Sequence, residues 1–186
     1  TGFKFYLRGY LSGIKDELII RRVIYRLPWT YPSEIKNLLQ GYRRILDVGC
    51  SEGKLMSWVN SENRFELTGV DINEVELAKA KARRSITGQP IYSQLIRADL
   101  TRNFKLGAKF DLMLCSQVVE HLSKDSALRL IAKMEKLARK RVVVATINGF
   151  FQFDTHRPGS YDIHRSGWSA KEFRSLGYKV QGSGLR

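Results

Sequence analysis

A chain of 186 residues is long enough for one α/β domain with a full hydrophobic core, and its hydrophobic fraction of 43% excludes a disordered polymer. No aliphatic run in the first thirty residues exceeds Leu18-Ile19-Ile20, which excludes a signal-peptide core or a spanning helix there. With 32 Lys+Arg against 18 Asp+Glu, the net charge of +14 predicts polyanionic neighbours: nucleic acid, acidic lipid or a phosphorylated substrate.

Residues 14–27 (IKDELIIRRVIYRL) read as a basic amphipathic helix ending before Pro28. Ser33 is a candidate cap for a short helix through Leu39, with Gly41 as its stop. Strands and helices then alternate. RILDVG, FELTGVD, IYSQLIRAD, FDLMLCS and RVVVATI read as strands, and EGKLMSWVN, NEVELAKAKARR, SALRLIAKMEKLARK and AKEFRSLG as helices. Gly177 stops the last helix, and YKVQGSG reads as a sixth strand. Arg129, Lys133, Lys136 and Lys140 line one side of the long helix, opposite Leu130, Ile131, Met134, Leu137 and Ala138. The pattern predicts an α/β fold, a doubly wound and mostly parallel sheet, as a single domain over residues 1–186. Residues 1–42 form its N-terminal helical segment and residues 43–186 its α/β core.

Ligands of such sheets bind beyond the carboxyl ends of the strands, so the chemistry is sought there. The stretch ILDVGCSEGKL carries Asp47, Gly49, Cys50, Ser51 and Gly53, without the three-glycine spacing of a dinucleotide fingerprint. Asp71 ends the second strand, about 20 residues after the glycine turn, where an acid accepts ribose hydroxyls. Asp99 ends the third, suited to an exocyclic amine, with Leu100 covering a ring face. Any single acid in such a place also serves as a helix cap. The ordered set describes an adenosine site.

These motifs, in the order glycine loop, GVDIN, RADL, FDLMLCSQVVEHL and VVVATING, resemble the class I S-adenosylmethionine-dependent methyltransferases over about residues 43–184. The resemblance implies a Rossmann-like fold and S-adenosylmethionine as cofactor. It places Asp47, Gly49, Cys50, Ser51 and Gly53 at the methionine moiety and Asp71 with Ile72 at the ribose. Asp99 and Leu100 fall at adenine, and Cys115, Ser116 and Gln117 beside the sulfonium. An acid at position 47 suits a cofactor that carries an amine and a sulfonium but no phosphate. The family's middle glycine is Ser51 here, and its final strand has no counterpart before Arg186, which predicts a last strand lying outside this sequence.

The acceptor leaves a weaker trace. His121 is a candidate general base, paired with Glu120 after the fourth strand. His156, Arg157, Tyr161, His164 and Arg165, in a loop after the fifth strand, are candidate substrate residues. Trp168 is expected to pack on the sheet, with Ser169 capping the next helix. The expected activity is methyl transfer to an O, N or C acceptor of an anionic or aromatic substrate. Gln117, Glu120, His121 and His164 are also similar to the metal-binding set of small-RNA 2′-O-methyltransferases. Gln117 removes a carboxylate from that set, so a metal-free site is the expectation. RNA is a possible substrate on charge, metal-assisted ribose methylation an alternative activity, and a non-catalytic nucleic-acid-binding module a further one. Two cysteines in the whole chain, Cys50 and Cys115, suit a reducing compartment and predict a cytoplasmic protein.

Overall fold

The structure is a computed structural model describing residues 30–102, 106, 109–150, 161 and 163–182. Two compact units are distinguished, residues 41–180 and a second made of residues 1–40 with 181–186. In the second unit the described helix is α1 (Tyr31–Leu39). Ser33 lies inside its first turn, donating to the Thr30 carbonyl, so Thr30 and not Ser33 holds the cap position. The helix expected over residues 14–27 lies outside the described residues.

The larger unit is built on five parallel strands in the order β3-β2-β1-β4-β5. They are β1 (Arg44–Val48), β2 (Glu66–Asp71), β3 (Gln94–Arg97), β4 (Phe110–Ser116) and β5 (Ala138–Ala145). Helices α2 (Lys54–Val59), α3 (Glu74–Ala82), α4 (Lys124–Leu137) and α5 (Ala170–Ser175) connect and flank them. This is the expected doubly wound α/β fold. Side chains alternate across a strand, so Leu46 and Val48 share one face with Met113 and Cys115. There they meet Leu130, Ile131 and Met134 of α4, Phe173 of α5 and Trp168 in one buried cluster. Ile45, Asp47, Leu112 and Leu114 take the opposite face and are also buried. Covering both faces is why β1 and β4 are predominantly apolar, broken inside by Asp47 and Asp111.

The strand order reverses between β1 and β4, which opens a crevice at their carboxyl ends. Loops leave the sheet there, and caps fix how the next helix begins. Asn73 accepts from the amides of Val75 and Glu76 at the start of α3. Ser169 and Glu172 form a reciprocal capping box on α5, as expected for Ser169.

Three expectations are corrected. β3 is confined to Gln94–Arg97, so Tyr92 enters the strand instead of belonging to it. α4 ends at Leu137, and Ala138, Arg139 and Lys140 start β5, because pairing with β4 overrides their helix propensity. Lys140 is therefore not on the helix face. Residues 178–182 carry no strand; Tyr178 instead packs edge-on against Phe173 and donates to Glu135 at 2.7 Å. Among the described residues no helix is long and apolar enough to cross a membrane.

Leu46 is fully buried in the central strand, whereas Leu128 is 37% exposed on α4. Leu46→Ala is expected to cost about 3 kcal/mol in urea unfolding, and Leu128→Ala less than about 0.5 kcal/mol.

Candidate functional site

The turn after β1 is compressed. Gly49, Ser51 and Gly53 all take left-handed backbone conformations, with φ of +75°, +47° and +71°. The amides of Gly49 and Cys50 both donate to the Val70 carbonyl, at 2.8 and 3.1 Å, folding the turn over the end of β2. A Cβ at Gly49 would collide with Val118, so glycine is required there by space as well as by φ. Ser51 stands where the family has glycine. Its left-handed backbone costs roughly 1 kcal/mol, and its amide is anchored by Asp71 Oδ2 at 2.8 Å.

Asp71 joins two loops, since its other oxygen accepts from the Asn73 amide at 2.8 Å. A carboxylate has about four acceptor sites, so capacity remains on both oxygens. Ile72 is half-buried beside it. Asp99 accepts from the amide and hydroxyl of Thr101, at 2.9 and 2.6 Å, and pairs with Arg102 at 3.2 Å. The Thr101 hydroxyl is the main reason its carboxyl lies below the usual range. Leu100 packs against the main core cluster.

Asp47 is 4% exposed and accepts from the Tyr92 hydroxyl at 2.7 Å. Burial pushes it up to about 7, opposed by the Tyr92 bond and reinforced by the charge of Asp71. Cys50 and Cys115 are free and buried, and burial raises both thiols far above their ordinary range. At the end of β4, Ser116 is half-buried and Gln117 exposed. Gln117 turns the chain at φ +56° and donates its amide to Ala145 at 2.7 Å.

A second group lies on the single 3-10 turn Val119–His121. Glu120 is 1% exposed and accepts from the Thr146 hydroxyl at 2.8 Å. Its backbone carbonyl accepts from the amides of Arg165 and Ser166, at 2.7 and 3.1 Å. Ser166 donates in turn to the Val119 carbonyl and accepts from Trp168 Nε1, each at 3.0 Å. Trp168, expected on the sheet, is 2% exposed in the core. These bonds carry His164 to His121, ring centroids 4.8 Å apart. One ligand atom from each of Glu120, His121 and His164 lies within 4.8 Å of the others. His121 Nδ1 faces the Ile163 carbonyl at 3.3 Å.

The structure thus gathers Asp47, Gly49, Cys50, Ser51, Gly53 and Asp71 around one turn, and Glu120, His121 and His164 around another. Tyr161 and Arg165 are exposed, while His156 and Arg157 lie outside the described residues. Sequence reasoning missed Tyr92, Thr146 and Ser166, whose partners Asp47, Glu120 and Val119 are distant in the chain and follow no spacing rule.

Two predictions follow from the buried turn. Gly49→Ala meets both an unfavourable φ and Val118, and is expected to cost about 2 kcal/mol or more in thermal unfolding. Asp47 has a folded pKa above its unfolded one, so folding takes up a proton between about pH 4 and 7. Its contribution therefore turns unfavourable as pH rises through that window, reaching on the order of 4 kcal/mol above it. The melting temperature of Asp47→Asn, relative to the native protein, is expected to climb from pH 4 to 7.

The family described as "Methyltransferase domain" matches residues 45–141, more than half of the chain. The ubiquinone biosynthesis O-methyltransferase of Idiomarina loihiensis is 31% identical over 107 residues, which are 57% of this chain and 43% of that protein. The small RNA 2′-O-methyltransferase of Mus musculus is 29% identical over 154 residues, covering 74% of this chain and 38% of its own. The chain thus spans less than half the length of these two curated relatives. Among solved structures, the methyltransferase domain of bacterial CtHen1-C superposes with a TM-score of 0.60 at 24% identity, over 78% of each chain. Magnesium protoporphyrin IX methyltransferase from Synechocystis PCC 6803, with bound S-adenosylhomocysteine, superposes at 0.55 and 18% identity, over 93% and 86%. Those two likenesses are of fold. With the family match lying across the glycine turn and the strand ends, the chain belongs to the class I S-adenosylmethionine-dependent methyltransferases, enzymes whose cofactor is S-adenosylmethionine.

Proposed function

We propose that this domain methylates a ribose 2′-hydroxyl of RNA, with the Glu120–His121–His164 cluster holding a divalent cation at the acceptor. Asp47, Gly49, Cys50, Ser51 and Gly53 would hold the methionine end of the cofactor. Asp71 beside Ile72 would hold its ribose, Asp99 and Leu100 its adenine, and Cys115, Ser116 and Gln117 would stand beside its sulfonium. The observation that carries the acceptor assignment is the close approach of the three ligand atoms, from residues brought together by backbone bonds. Two imidazoles and a carboxylate suit borderline transition metals.

The surroundings of the cluster support a ligand role. A buried carboxylate needs a cation or donors, and Glu120 has the Thr146 hydroxyl on one oxygen. Donation by His121 Nδ1 to the Ile163 carbonyl leaves Nε2 as the lone-pair nitrogen, the usual support of a metal-bound imidazole. Neighbouring donor atoms in a coordination sphere of about 2.1 Å radius stand roughly 3–4 Å apart, so small side-chain rotations bring the three into range. When bound, a divalent cation supplies positive charge that makes a nearby hydroxyl more acidic. The rest is positioning: the hydroxyl oxygen bonds to the methyl carbon as the carbon–sulfur bond breaks and the hydroxyl proton passes to water, leaving S-adenosylhomocysteine. The RNA assignment is supported by the net charge of +14 and by the mouse small RNA enzyme, whose match extends over 74% of the chain.

Incubation with labelled S-adenosylmethionine and RNA of free 3′ end tests this. Glu120→Ala and His164→Ala are each expected to lose activity about 100-fold or more. Binding of Co2+, followed by its visible absorption, is expected to weaken in both variants. Full activity in excess chelator, abolished by His121→Ala alone, overturns the cation and leaves His121 as general base in a metal-free transfer.

A further inference from the structure

Tyr92 belongs to none of the motifs that mark the cofactor site, yet it is 6% exposed and directly beneath that site. Its ring fills the space under the glycine turn. A Cβ at Gly53 would stand 2.6 Å from its Cε2, and one at Gly69 of β2 would stand 2.8 Å from its Cε1. The amide of Ser93 donates to the Leu67 carbonyl at 2.8 Å, tying this segment to β2. Among the described residues, the Tyr92 hydroxyl is the one hydrogen-bond donor to the Asp47 carboxylate. The other titratable groups acting on this pair are Asp71 at the end of β2, Cys50 in the turn and Cys115 on β4. Arg83, itself paired with Glu52 at 2.6 Å, acts on the phenol.

We propose that Tyr92 is a positioning residue for the cofactor: its hydroxyl holds Asp47 as a charged acceptor for the cationic methionine amine, so that cofactor uptake expels the Asp47 proton. This rests on placing the methionine end over residues 47–53. Burial favours the neutral acid, and the phenol bond favours the carboxylate. An arriving cation adds to the phenol's side of that balance. Removing the hydroxyl while keeping the ring moves the balance back toward the neutral acid and leaves the packing under Gly53 and Gly69 in place.

The test is calorimetric titration of the full chain with S-adenosylhomocysteine between about pH 6 and 9, for the native protein and Tyr92→Phe. The ratio of the two dissociation constants cancels the ligand's own titration. It is expected to be about tenfold near pH 6 and to approach one near pH 9, as for a carboxyl whose pKa has risen by one unit. Titration in two buffers of different ionisation enthalpy is expected to show proton release by the native protein near pH 7. A ratio that is constant with pH, or one throughout, overturns the inference and leaves the cofactor placement intact. Absence of binding by the native protein at millimolar ligand removes placement and inference together. If Tyr92→Phe does not fold, Asp47→Asn replaces it: proton release near pH 7 is expected to vanish, and its persistence overturns the proposal.

Discussion

The two halves of this site meet where the backbone of Gly49 lies against the side chain of Val118. One belongs to the turn after β1 and the other to the turn after β4, the two strands between which the sheet order reverses. Their contact leaves no room for a Cβ, so the approach of the two loops is set by main-chain geometry. The glycine turn is thereby pressed toward the segment that carries Glu120 and His121. Methyl transfer depends on such spacing, because donor and acceptor must be brought in line within a few tenths of an ångström.

Charge is arranged by the same topology. Parallel strands put all their carboxyl ends on one side, and there Asp47, Asp71 and Asp99 stand within or just after the strands. The amino ends carry exposed cations instead: Lys109 before β4 and Arg139, Lys140 and Arg141 along the start of β5. At that end Asp111 accepts from the amides of Arg43 and Arg44, which together with the nearby Lys140 and Arg139 hold its carboxyl below the usual range. A strongly basic chain thus keeps an acidic end at the crevice where its strands reverse order.

Much of this was legible in the sequence, for identifiable reasons. β1 and β4 announce themselves because burial on both faces favours the apolar stretches Ile45–Leu46 and Leu112–Cys115. The glycine turn and Asp71 follow a spacing fixed by one strand and one helix. Ala138, Arg139 and Lys140 read as helix because their intrinsic preferences are helical, and only pairing with Phe110 and Leu112 decides otherwise. Tyr178 and Val180 imitate an alternating strand, but their packing is against the core cluster. The Tyr92–Asp47 bond spans 45 positions and obeys no local rule, so only the folded chain reveals it. His164 stands out in the sequence by its place in the loop after β5, but its approach to His121 depends on amides that no sequence pattern displays.

The bonds that bring His164 into place use the main chain of Arg165 and Ser166 on one side and the carbonyl of Glu120 on the other. Peptide groups are common to every residue except proline at the donor. The Arg165 side chain points to solvent and takes no part in that attachment. The attachment that brings His164 beside His121 is therefore indifferent to which side chain stands at position 165, proline excepted.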